Sequence, residues 1–127
     1  MVAPESVVRV ALRYINHLSL PATPGDLDEY ITTGPRLPSS IPQVLASFST
    51  RVVVEDPERA LSANVTQALE VGVQSAAPTL LLDIDAYRIG EFNTSEQNLG
   101  RILSDLRTYQ NRIFFGSLTE KLIKAYE

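Results

Sequence analysis

The clearest pattern along this chain is the two-residue alternation of Val7 to Leu20, Val-Val-Arg-Val-Ala-Leu-Arg-Tyr-Ile-Asn-His-Leu-Ser-Leu. Side chains of a strand point alternately to opposite faces. Val8, Val10, Leu12, Tyr14, Asn16 and Leu18 therefore share one face, and Val7, Arg9, Ala11, Arg13, Ile15 and His17 share the other. The first is the expected core face. The second sets cations among small or apolar residues, as the water-facing side of an antiparallel sheet does. A one-residue slip would drive both arginines into the core, so the register is expected to be firmly fixed.

Three further strands follow by the same rule. Phe48 to Glu55 puts Phe48, Thr50, Val52 and Val54 on one face and Ser49, Arg51, Val53 and Glu55 on the other. Asp56-Pro57-Glu58-Arg59 supplies turn chemistry, and Leu61 to Leu69 returns as the second arm of a hairpin. Helix-forming residues at both ends of that arm compete with strand, but β-branched Val65 and Thr66 favour strand. Thr79 to Arg88 is the fourth strand, with Leu80, Leu82, Ile84 and Ala86 toward the core and Leu81, Asp83, Asp85 and Tyr87 opposite.

Elsewhere the period changes to that of a helix. Leu99, Ile102, Leu103, Leu106, Tyr109 and Ile113 recur at three and four, which predicts a long helix with one apolar stripe. Thr94 with Gln97 has the spacing of a capping box, as does Ser117 with Glu120 before a terminal helix over Leu118 to Ala125. Gly100 within the long helix is either a defect or a point of close sheet contact, and Gly116 is expected to break the run. A short helix is expected over Asp26 to Ile31, its carboxylates placed well for the helix dipole. A proline-rich loop runs from Gly34 to Pro42, and Gln43 to Ala46 offers at most one more turn. Strands in sequence with helices at the ends point to an α+β fold. The expected architecture is a single domain over residues 1–127, with a roughly four-stranded, mostly antiparallel sheet covered on one face by the long C-terminal helix.

Composition narrows function mainly by exclusion. The 127 residues hold 11 basic and 15 acidic side chains, a net charge of -4. That balance makes nucleic acid an unlikely partner, since such proteins usually present a basic stripe. With no cysteine and one histidine, disulfides, thiol nucleophiles, sulfur-ligated zinc and any two-histidine metal site within the chain are excluded. No apolar run approaches a membrane span, and no signal-peptide pattern opens the chain. A cytoplasmic setting without a cofactor or membrane partner is the expectation.

Candidate chemistry gathers on the mixed sheet face: Arg9, Arg13, His17, Asp83, Asp85 and Tyr87. Asp83 and Asp85 point the same way about 7 Å apart along the strand. Two such carboxylates suit a magnesium ion that keeps several waters and meets a phosphorylated substrate, with Glu91 as a third ligand if its loop folds back. Equally, they suit cross-strand ion pairs with Arg9 and Arg13, should the first and fourth strands be neighbours. Arg9 and Arg13 could instead grip a carboxylate or phosphate. His17 has the titration range of a general base, but no nucleophile elbow or orienting partner accompanies it. Phe114-Phe115 offers one ring inward and one for the terminal helix or a contact surface. The balance favours a non-catalytic binding or protein-interaction module, with a magnesium-dependent phosphoester enzyme as the alternative.

Three stretches carry a family resemblance: Leu12-Arg13-Tyr14-Ile15-Asn16, Leu81-Leu82-Asp83-Ile84-Asp85-Ala86-Tyr87, and Asn111 followed by Phe114-Phe115-Gly116-Ser117-Leu118-Thr119-Glu120. Together the chain resembles the C-terminal half of a sporadically distributed prokaryotic family of uncharacterised proteins, marked by an LRYINR-type strand. His17 stands where that motif has arginine, which weakens any anion-binding role for position 17. The resemblance implies no activity, cofactor or catalytic residue. It does imply an upstream α+β half, so that the chain is either a fragment of a longer protein or a short member. A fragment would expose the surface that met its missing half and self-associate through a strand edge or an apolar patch.

Overall fold

A computed structural model describes residues 6–20, 30–32, 34–42, 47–71, 78–93 and 95–125. It contains four strands, β1 (Ser6–Ser19), β2 (Ser47–Asp56), β3 (Leu61–Val71) and β4 (Pro78–Asn93), then helices α1 (Glu96–Ser117) and α2 (Glu120–Ala125). The strands form one sheet in the order β1-β4-β3-β2, every neighbour antiparallel. The α+β fold is thus the one the alternation predicts, and β1 and β4 are neighbours.

Burial follows the pleat. Leu80, Leu82, Ile84 and Ala86 of β4 are fully buried, as are Ala63 and Leu69 of β3. Ile102, Leu106 and Tyr109 of α1 and Leu122 of α2 close over them. Each such aliphatic side chain contributes roughly 1.5–3 kcal/mol by leaving water. α1 lies across β4 and β1 and only brushes β3. The core-facing residues of the outer strands are therefore incompletely covered, and Tyr14 and Val52 remain 54% and 53% exposed.

One polar side chain in the core fixes the helix on the sheet. Gln110, buried, donates from Nε2 to the carbonyls of Leu12 in β1 and Ile84 in β4, each at 3.2 Å. A buried amide without such partners would cost more than it contributes. At the C-terminal end of α1, Thr32 N donates to the Ser117 carbonyl and Thr119 N to the Tyr30 carbonyl, both at 2.9 Å, around an Ile31–Leu118 bridge. This strap carries Tyr30 and Ile31 into the core.

Several boundaries differ from expectation. β4 runs on to Asn93 because a bulge absorbs the irregularity at Ile89-Gly90-Glu91: Val7 pairs with Phe92 but Arg9 pairs with Ile89. Two residues of β4 thus face one of β1, and Gly90 adopts a φ of 155° there, which suits a residue without a Cβ. Ser95, not Thr94, caps α1, accepting from Asn98 N at 3.2 Å. Gly116 does not break α1, which ends one residue later; Ser117 donates back to the Ile113 carbonyl, and Thr119 caps α2 through Leu122 N. Leu103 leaves the apolar stripe and is 41% exposed. The helix expected over Asp26–Ile31 lies outside the described residues except at Tyr30 and Ile31, which form a turn and a bridge. Gln43–Ala46 lies wholly outside them.

Two positions carry avoidable backbone cost. A Cβ at Gly100 would meet nothing within 4 Å, so the glycine is a helix defect and not a close contact. Ala60, which closes the β2–β3 turn after Arg59 N donates to the Asp56 carbonyl, has a φ of 56°, a conformation that costs a non-glycine residue about 1 kcal/mol. Gly100→Ala and Ala60→Gly are each expected to stabilise by about 0.5–1 kcal/mol, raising the midpoint of thermal unfolding by about 2–5 °C. Calorimetry of the two variants and their combination checks this, with additive gains expected.

Candidate functional site

The face of the sheet away from α1 is built by the odd-numbered residues of β1, β2 and β4 and the even-numbered residues of β3. Its rows follow from the register: Ala11, Tyr87, Ser62 and Glu55 in one, Arg13, Asp85, Asn64 and Val53 in the next, then Ile15, Asp83, Thr66 and Arg51. Asp83 and Asp85 occupy the centre because β4 is an inner strand. The arginines reach them from the β1 edge.

These groups pair diagonally. Arg13 sits opposite Asp85 but bonds Asp83 in a two-pronged contact, Nε to Oδ1 at 3.0 Å and NH2 to Oδ2 at 2.7 Å. Arg9 bonds Asp85 through NH2 at 3.3 Å, and its guanidinium lies 4.8 Å from the centre of the Tyr87 ring. The hydrogen bonds that Arg13 donates to Asp83, and then the charge of Asp83, hold the Arg13 guanidinium above its ordinary pKa and so fully charged. Arg13 remains exposed while Asp83 is mostly covered, so the pair orders a surface more than it stabilises the fold.

Five of the six candidate residues are therefore brought together: Arg9, Arg13, Asp83, Asp85 and Tyr87. His17 shares their face but lies beyond Ile15, exposed and opposite Leu81. Among the described residues no cluster of three or more histidine and carboxylate side chains could hold a metal ion. Both oxygens of Asp83 are already engaged by Arg13.

Three exposed apolar side chains stand on this face among the polar residues of β2 and β3. Ile15, Ile89 and Val53 are 50%, 67% and 54% exposed. Tyr87 and Ile89 also line a hollow of 240 Å³ with Pro57, Ala60 and Ser62 of the hairpin end. Sequence reasoning places Ile15 and Val53 on this face but gives them no role. The signal was present: β-branched side chains standing between charges in strands whose other face is the core. Ile89 was hidden by the bulge that keeps β4 extended.

A second hollow, of 660 Å³, opens between the hairpin and α1, lined by Val54, Asp56, Pro57, Arg59, Tyr109 and Arg112 among others. Arg112 approaches Asp56 at 3.9 Å, and Tyr109 donates its hydroxyl to the Val54 carbonyl at 3.0 Å. Burial, and next the charge of Asp56, raise the Tyr109 phenol above its ordinary pKa. Nothing in sequence links these residues, which are joined only by the fold. On the opposite side, Tyr14 meets Phe114 edge-on at 6.5 Å and Phe114 meets Phe115 at 5.1 Å, Phe115 staying 54% exposed.

No helix among the described residues is long and apolar enough to cross a membrane. Comparison of the chain with protein-family models, curated proteins and solved structures finds no match.

The Tyr109 shift has a definite consequence for alkaline stability. A phenol whose pKa is raised in the fold favours the folded state while protonated, below the ordinary value near 10, and that stability is lost as pH rises through the folded pKa. Absorbance titration should show one phenol ionising later than the rest. Tyr109→Phe should remove that late step and lower stability at neutral pH by about 1 kcal/mol. Its stability should fall less than the wild type's between neutral pH and pH above 10.

Proposed function

We propose that this chain is a non-catalytic protein-interaction module of the cytoplasm, whose partner rests on the open sheet face around Arg9, Arg13, Asp83, Asp85 and Tyr87. The observation that carries this reading is the pairing of charge on that face. Each arginine is matched by an aspartate, so the patch offers no excess of cations to a phosphate backbone and no free carboxylate pair to a metal. What it offers is area: exposed Ile15, Ile89 and Val53 around an ordered ionic centre. Recognition surfaces on proteins combine apolar contact with fixed polar groups in this way. The hollow beside Tyr87 and Ile89 would receive one apolar anchor from the partner.

The magnesium-dependent alternative needs Asp83 and Asp85 to release their arginines, and neither carboxylate lines either of the hollows described above. His17, exposed and opposite Leu81, bonds neither aspartate and is left out of the contact centre.

Two measurements test the proposal. A photo-crosslinking residue in place of Ile15 should capture a protein partner in cells, and Ile89→Asp in the same chain should abolish the adduct. A crosslinker in place of Asp105, exposed on α1, should give none. Titration with millimolar magnesium should leave the amide resonances of Asp83 and Asp85 unmoved. Saturable shifts at both residues, or equal capture from the two crosslinking positions, would replace this reading.

A further inference from the structure

Among the described residues, the outer edge of β2 has no strand paired against it and carries exposed valines. Edge strands are commonly blunted by charge, proline or a bulge. β1, the opposite edge, carries Arg9 and Arg13 and the irregular pairing near Val7. β2 has no proline and no bulge, and its charges, Arg51 and Glu55, flank a run of three valines. It pairs with β3 without a register shift, and Val52, Val53 and Val54 are 53%, 54% and 38% exposed.

The pairing also fixes which main-chain groups face outward. Asp56 pairs with Leu61 at the mouth of the turn. Pro57 has no N–H to give, so that pair is closed by the mutual hydrogen bonds of Asp56 and Leu61 themselves. Antiparallel ladders alternate. Val54 and Val52 therefore bond toward β3, and the N–H and C=O groups of Glu55, Val53 and Arg51 point out of the sheet. The Tyr109 hydroxyl on the Val54 carbonyl leaves this outward row untouched.

We propose that β2 pairs antiparallel with β2 of a second copy of this chain, about a two-fold axis through Val53, to form one continuous eight-stranded sheet. The strand is complementary to itself in that register. Val53 meets its own copy. Arg51 meets Glu55 of the second chain on the open face, and Glu55 meets Arg51. On the helix side Val52 meets Val54, twice. The three outward-facing residues supply about six main-chain hydrogen bonds. Both charge pairs are opposite in sign, and opposite charges facing across strands stabilise where like charges oppose. The valines complete the apolar strip that α1, lying over β4 and β1, leaves bare. A two-fold contact is closed, so it stops at the dimer. The contact joins the two open faces edge to edge and leaves both free for the partner proposed above, on which it does not depend.

Charge exchange tests the register. Sedimentation of the wild type across a range of concentrations should show a reversible dimer. Arg51→Glu and Glu55→Arg should each raise the dissociation constant about tenfold or more, because each creates two like-charge contacts. The double variant Arg51→Glu/Glu55→Arg should return it to near the wild-type value. All three residues tested lie on exposed positions, and unchanged circular dichroism is expected of every variant. Because the chain has no cysteine, Val53→Cys adds a second reading: its thiol would meet its own copy across a pair with Cα atoms about 5.5 Å apart, and mild oxidation should give a covalent dimer. A monomeric wild type, a double variant no better than the single ones, or a Val53→Cys chain that stays monomeric on oxidation overturns the proposal. None of those results bears on the open-face reading.

Discussion

The structure depends on β4. It is an inner strand, so each of its side chains must satisfy a neighbour on both flanks as well as a face. Toward α1 it presents Leu80, Leu82, Ile84 and Ala86, all removed from water. On the reverse it presents Asp83, Asp85 and Tyr87, which draw Arg9 and Arg13 across from β1. Both sets are fixed by one register. A slip of a single residue would bury two carboxylates and expose the core row, a change far larger than the few kcal/mol by which domains of this size are stable. The apolar layer and the ionic patch are therefore two faces of the same constraint.

The edges differ for a related reason. α1 is anchored by Gln110 to carbonyls of β1 and β4, and this sets it over that half of the sheet. β3 gains cover from its end, while β2 gains little. The hollow beside Tyr109 and Arg112 is the space that results. An amide clamp on one side of the sheet thus determines how bare the other side is.

Much of this was legible in the order of residues, and the exceptions are instructive. Strand faces could be read wherever alternation was clean, as in β1, β2, β3 and most of β4. The continuation of β4 past Arg88 was not, because Gly90 suggests a loop unless the neighbouring strand is known to take up the extra residue. The caps were misplaced by one or two residues: Thr94 and Ser95, and likewise Ser117 and Thr119, offer the same hydroxyl chemistry, and only the path of the chain selects between them. Gln110 was not picked out on α1, since its partners are main-chain carbonyls that no side-chain pattern reveals. The candidate residues were all placed on one face by period alone. That Arg13 bonds Asp83 and not the facing Asp85, while His17 bonds neither, depends on side-chain reach and was not readable.

The pairing of β1 with β4 also has a consequence for how the chain is made. Strands β2, β3 and β4 follow one another as antiparallel neighbours, but β1 must wait for a partner that is the last of the four in sequence, with Arg13 facing Asp85. During synthesis β1 leaves the ribosome before the other three strands, with its apolar residues solvated, and finds its place only after β4 emerges. Gln110 then joins both strands to α1, so the first of the four strands to be translated is among the last to be locked down. A holding chaperone would act on β1 in that interval, before the sheet is complete.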